Sequence, residues 1–182
     1  MIVGIAGSFA SGKGTVVEYL TESKGFTHYS ASGFITEEIE RRGLPVNRDS
    51  MIVVANDLRQ KHGPTFIVDS LYERANNAGG NVIIESLRAV SEVRRIQELG
   101  GVVLGVDADS PLRYERALGR KSVKDAVTYE EWKAQEQAES NPDDDTKQNI
   151  FGALALADYT IMNDGTMEEL HKAVDEFIQK FL

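Results

Sequence analysis

Short apolar runs alternate along the chain with longer segments in which apolar residues recur every three or four positions. IVGIA (2–6), NVIIES (81–86) and VVLGVDA (102–108) read as buried parallel strands, because little polar interrupts them. FTHYSAS (26–32) is a weaker strand candidate, and DYTIMN (158–163) reads as a last strand. Between them the spacing turns helical. From Lys13, the residues Val16, Val17 and Leu20 share a face, and Gly25 stands where a C-terminal cap belongs. FITEEIERRG ends at Gly43 with Pro45 behind it, and two further helices, Asp49 to His62 and Pro64 to Asn76, meet at Gly63-Pro64. Ser91 opens SEVRRIQEL, and Ser110-Pro111 opens the next helix. Thr128 with Glu131, and Thr166 with Glu169, form capping boxes ahead of the helices 129–139 and 167–182, and KQNIFGALALA reads as a buried helix. Strand and helix therefore alternate, with a helical excursion between the second and third strands. This is the pattern of an α/β open parallel sheet covered on both faces.

A length of 182 residues suits one domain with a full core. The formal charge of −9 argues against broad binding to nucleic acid, whose phosphates are held by clustered Lys and Arg. No cysteine is present, so there is no disulfide framework and no thiolate metal site. The start lacks a signal-peptide pattern and no apolar run reaches membrane-spanning length, so a cytoplasmic location is expected. His28, His62 and His171 show no metal-ligand spacing and read as structural. NPDDD (141–145) reads as a solvated turn, and Trp132 and Phe151 as packing residues.

The first strand runs into GIAGSFASGKGT. Gly7, four intervening residues and Gly12-Lys13 match the phosphate-binding loop, in which bare backbone N–H groups and a helix N-terminus face phosphate oxygens. Gly7, Ser8, Ala10, Ser11, Gly12, Lys13, Gly14 and Thr15 are the expected nucleotide contacts. Lys13 would bridge the outer phosphates, where charge spreads during transfer. The match implies a three-layer P-loop NTPase fold with five parallel strands in the order 2-3-1-4-5.

Ser or Thr usually follows the lysine directly, whereas here Gly14 intervenes before Thr15. The GKGT form resembles adenylate-kinase-like nucleoside monophosphate kinases. IIESLRAVSEVRRIQELGG is similar to the segment after the third strand of deoxynucleoside monophosphate kinases and of an archaeal adenylate-kinase-related family. There an acidic residue ends the strand and an arginine follows three positions later, here Glu85 and Arg88. DADSPLRYERALGRK resembles the strand and lid helix that these families share with dephospho-CoA kinases. QNIFGALALADYTIMNDGTMEELHKAVDEF resembles their closing segment. DLRQKHGPTFIVDSL resembles a helical insert covering the acceptor in the archaeal family.

The resemblance implies one kinase domain, with acceptor-binding helices near 33–78 and a lid near 113–145. It implies ATP and Mg²⁺ as cofactors and a nucleotide-like small molecule as acceptor, a (deoxy)nucleoside monophosphate first and dephospho-CoA second. Catalysis then falls to Lys13, Glu85, Arg88, Arg116 and Arg120. Arg116 and Asn163 are further nucleotide contacts, and Thr15 and Glu85 are magnesium contacts through water. Arg113, Arg116 and Arg120 lie three and four apart on one helical face, which would serve either as a lid surface or as a solvated stripe pairing with Glu115. Arg41, Arg48, Asp57 and Arg59 are acceptor candidates by position. A module that binds ATP and signals through a partner is the alternative outside the enzymes.

Overall fold

The computed structural model describes residues 1–119, 128–140, 144 and 147–181, without the side chain of Arg48. The first strand, β1 (Ile2–Gly7), leads into α1 (Lys13–Lys24), and β2 (Thr27–Ser30) follows. The excursion is α2 (Ala31–Arg41), α3 (Arg48–His62) and α4 (Phe66–Ala78). Then come β3 (Val82–Leu87), α5 (Val90–Glu98), β4 (Val102–Asp107), α6 (Ser110–Gly119) and α7 (Tyr129–Ala138). The chain closes with α8 (Ile150–Ala155), β5 (Tyr159–Met162) and α9 (Met167–Phe181). The five strands form one sheet in the order β2-β3-β1-β4-β5, with every pairing parallel. This is the strand order that the phosphate-loop match implies.

Side-chain alternation along the strands feeds two cores. Val3 and Ile5 of β1 pack with Ile83, Leu104, Val106 and the inner faces of α1 and α9, whereas Ala6 packs on the opposite side with α2 to α5. Each fully buried Ile, Leu or Phe, such as Ile5, Leu20 or Phe177, contributes about 1.5–3 kcal/mol.

Caps decide where several elements begin. The side chain of Ser30 accepts the Gly33 N–H at 3.2 Å, so Ala31 and Ser32 are helical and the second strand stops earlier than its apolar run suggests. α5 begins one residue before Ser91, because the Glu92 carboxylate accepts the N–H groups of Arg88 (2.8 Å) and Ala89 (3.1 Å). Asn149 caps α8 by accepting from Gly152 at 2.9 Å, and Lys147 and Gln148 stay outside that short helix. The capping boxes at Thr128/Glu131 and Thr166/Glu169 form as their spacing predicts. Of the acidic stretch 141–145, Asp144 alone falls within the described residues, bridged to Lys147 at 3.1 Å.

A buried ion pair ties α3 to α5. Arg59 donates through Nε (3.0 Å) and Nη2 (2.7 Å) to one oxygen of Glu92, and both side chains are almost wholly buried. Glu92 thereby binds the guanidinium with one oxygen and caps its own helix with the other.

Candidate active site

The C-terminal ends of β1, β3 and β4 meet at one edge of the sheet, where ligands of open parallel sheets bind. The loop from β1 to α1 is shaped by its own neighbours. A Cβ at Gly7 would overlap the Val106 carbonyl oxygen, and one at Gly12 would overlap the Asn163 amide. Gly12 also holds φ at 99°, a left-handed value disfavoured for residues with a side chain. Glycine is thus required at 7 and 12 by protein atoms, while Gly14 faces open space. Gly12→Ala is therefore expected to cost about 2 kcal/mol from backbone strain and displacement of Asn163. Gly14→Ala, inside α1, should be neutral or stabilising by up to about 1 kcal/mol. Urea denaturation of both variants checks this, and equal losses would refute it.

Lys13 Nζ donates to the carbonyls of Gly7 (3.0 Å) and Ser8 (2.6 Å) and so lies along the loop. Asn163, buried behind the loop, donates Nδ2 to the Ser11 carbonyl at 2.9 Å, and its N–H to Asp107 at 2.7 Å. Beside it opens a cavity of about 210 Å³ lined by Ala10, Gly12, Thr15, Arg116, Asn163 and Gly165. The structure thus brings Arg116, Thr15 and Asn163 together. Arg116 Nη1 is buried with no hydrogen-bond partner among the described residues, as is Ser11 Oγ in the loop. A buried donor left in that state is costly unless a ligand completes it. Arg120 lies outside the described residues.

On the other side stands Glu85. The β1–β3 ladder pairs Ile5 with Glu85 and Ala6 with Leu87, which leaves Ser86 as an extra bulged residue at φ 73°. Ser86 Oγ donates to Glu85 at 2.6 Å, Ser30 Oγ donates at 3.3 Å, and His28 Nε2 lies 3.7 Å away. Burial pushes the Glu85 carboxyl up, but bonding to His28 and Ser86 and the charge of Lys13 outweigh it, so the group sits below its ordinary value. It is held as a carboxylate. His28, read from sequence as structural, thus lies against Glu85. It shares a face of β2 with Ser30, which pairs with Glu85, and only the strand register discloses this.

Asp107 is a second residue without a sequence-level assignment. It ends β4 as Glu85 nears the end of β3, and it accepts from Ser8 Oγ and from the Ala108 N–H. A carboxylate ending a buried strand was the available signal. The acceptor candidates separate. Arg88 lies at the start of α5, partly exposed, 3.5 Å from Glu139. Arg41 and Asp57 lie in surface ion pairs with Glu38 and with Arg42 and Lys61. Arg59 is the buried partner of Glu92, and its Nη1 has no hydrogen-bond partner among the described residues. Arg48 is described in its backbone alone, at the start of α3. Arg113 is buried and pairs with Glu136, not Glu115. Trp132 is a packing residue, 2% exposed, whereas Phe151 is 42% exposed and does not pack as expected. The described residues contain no group of three or more His, Asp or Glu that could hold a metal.

A model of the AAA domain family matches residues 3–133. A UPF0200 protein of Thermococcus kodakarensis is 30% identical over 191 positions, covering 99% of this chain and all of its own. One from Thermococcus gammatolerans is 28% identical, covering 100% of this chain and 96% of its own. Among solved structures, TT1252 from Thermus thermophilus aligns with a TM-score of 0.68 at 19% identity, over 100% of this chain and 98% of that one. Shikimate kinase from Bacteroides thetaiotaomicron aligns with a TM-score of 0.62 at 11% identity, over 98% of both chains. A gluconokinase from Sinorhizobium meliloti aligns with a TM-score of 0.55 at 13% identity, over 98% of this chain and 91% of that one. The structural likenesses establish the fold, and the sequence matches establish descent: the chain belongs to the AAA domain family and to the UPF0200 family.

Proposed function

We propose that this protein is a kinase that moves the γ-phosphoryl group of Mg-ATP to a small nucleotide-like acceptor, a (deoxy)nucleoside monophosphate. One observation carries the reading: a lysine-bearing phosphate loop lies between a cavity lined by Arg116 and Asn163 and a carboxylate kept ionised beside that lysine. Phosphoryl transfer asks for this division of labour, because positioning and charge neutralisation supply most of the catalysis.

ATP would place its base against Arg116 and Asn163 and its phosphates on the loop N–H groups. Lys13 would leave the Gly7 and Ser8 carbonyls for the outer phosphate oxygens. Thr15 and Glu85 would hold Mg²⁺ directly or through water, as suits an ion that keeps few protein ligands, and its chemistry there would be charge neutralisation at the transferring phosphates. An acceptor phosphate oxygen then attacks the γ-phosphorus, the bond to the bridging oxygen breaks, and ADP leaves. Arg88 would orient the acceptor phosphate.

A second reading has support in the same cluster. His28, Ser30 and Ser86 around an ionised Glu85 would suit an acceptor hydroxyl whose proton Glu85 takes, as in transfer to dephospho-CoA or another phosphorylated metabolite. Shikimate kinase and gluconokinase, among the structural neighbours, are also named for small hydroxylated compounds.

ADP release measured against a panel of nucleoside and deoxynucleoside monophosphates and dephospho-CoA, with product mass checked, separates these readings. A single acceptor that gains one phosphoryl group identifies the reaction. ATP binding with no stimulation by any acceptor would overturn it in favour of a regulatory ATPase module.

The acid limb of the rate profile should lie below the ordinary carboxylate range, because Glu85 is stabilised as the anion. His28→Ala removes the strongest opposing contact and leaves burial and Ser86, Ser30 and Lys13 as the groups facing Glu85, so the limb should move up in pH. Because the folded value lies below the unfolded one, Glu85 ionisation contributes stability above pH about 4.5, and loses it as pH falls through the folded value. A rate profile unchanged in His28→Ala would sink the pairing.

A further inference from the structure

Arg113 lies in the middle of α6 yet is 5% exposed, and its guanidinium touches three parts of the fold. Nε donates to the Ala108 carbonyl at 2.9 Å, just past β4, and lies 3.5 Å from the Asp107 carboxylate. Nη1 donates to the Phe9 carbonyl of the phosphate loop at 3.2 Å. Nη1 and Nη2 both donate to Glu136 of α7, Nη2 at 3.1 Å, and the guanidinium stacks over the Trp132 ring, 5.0 Å from its centroid. Asp107 in turn accepts from Ser8 Oγ, so two successive loop residues are held from outside the loop.

The bond to Phe9 acts on more than a carbonyl. The Phe9 C=O and the Ala10 N–H belong to one planar peptide unit, so anchoring the oxygen sets the direction of that N–H. Ala10 is held at φ 58°, in the left-handed region that costs an alanine about 1–2 kcal/mol and persists only where neighbours over-determine it. Ala10 also lines the cavity beside the loop. The Arg113 bond to Phe9 is one such over-determining contact, and Glu136 holds Arg113 in place to make it.

We propose that Arg113 is a positioning residue that couples α7 to the phosphate loop, so that nucleotide affinity depends on Glu136, a residue outside the nucleotide cavity. This rests on the kinase reading only in requiring that nucleotide bind the loop. Without the Glu136 charge, the carboxylate left beside Arg113 among the described residues is Asp107, at 3.5 Å. The guanidinium then shifts towards it and off the Phe9 carbonyl, and Ala10 relaxes from the left-handed region.

The test is a set of Mg-ATP dissociation constants by titration calorimetry, with thermal melts run in parallel. Glu136→Gln, which keeps the size of the side chain, should weaken Mg-ATP about tenfold. Adding Ala10→Gly should recover most of that loss, because glycine adopts the left-handed conformation without the anchor. A role confined to packing α7 would lower the melting temperature but would not be rescued at position 10. Wild-type binding with no change in Glu136→Gln, or with a loss that Ala10→Gly leaves untouched, overturns the coupling alone. Absence of wild-type binding overturns the kinase reading with it.

Discussion

Lys13→Ala is expected to reduce phosphoryl transfer by about 10³-fold or more while the protein stays folded. Lys13 is the loop's own cation at the sheet edge, and Glu85 feels its charge. Its side chain bonds to the carbonyls of Gly7 and Ser8, both at the site, and belongs to neither core cluster, so truncation removes charge where the transition state gathers it and leaves both cores intact. Two lost hydrogen bonds in a partly exposed loop cost about 1–3 kcal/mol. ADP release with the best acceptor reads the first effect, and a thermal melt reads the second. Turnover within tenfold of wild type would refute the assignment of Lys13.

Arg59→Met is expected to destabilise the fold by about 3–5 kcal/mol. The loss comes from what remains: Glu92 keeps the N–H bonds of Arg88 and Ala89 but stands as a buried anion without its cation. The double variant Arg59→Met with Glu92→Gln should recover part of the loss, since the amide leaves no buried charge and its oxygen can still accept. Urea denaturation of the three proteins decides it, and a single-variant loss below about 1 kcal/mol would show the pair to be dispensable.

Much of the fold was legible because its signals are local. Uninterrupted apolar runs mark β1, β3 and β4, and capping residues such as Thr128 and Thr166 mark helix starts. The phosphate loop is likewise a contiguous motif, so its position followed from spacing, although the reason for two of its glycines did not. Gly7 and Gly12 avoid Val106 in β4 and Asn163 just past β5, both far along the chain. His28 and Asp107 escaped for a related reason, since their roles exist only once β2 aligns with β3 and β4 with β1. Arg59 left a readable trace. It follows Ala55 by four positions, on the apolar stripe of α3, and a charged residue there forecasts a buried partner instead of a substrate contact. Arg113 gave less warning, because its partner Glu136 lies on another helix.

The strand order also has a consequence for how the chain is made. β1 is synthesised first, yet it lies at the centre of the sheet and pairs only with β3 and β4, never with the β2 that follows it. Emerging from the ribosome, the apolar segment IVGIA must wait until Asp107 has been added before both its edges can be covered. At about 5–20 residues per second, that is a delay of roughly 5–20 s. During that interval the nascent chain carries a central strand with an open edge, which makes the time before β4 is added the stage at which chaperone capture or misassembly competes most strongly with folding.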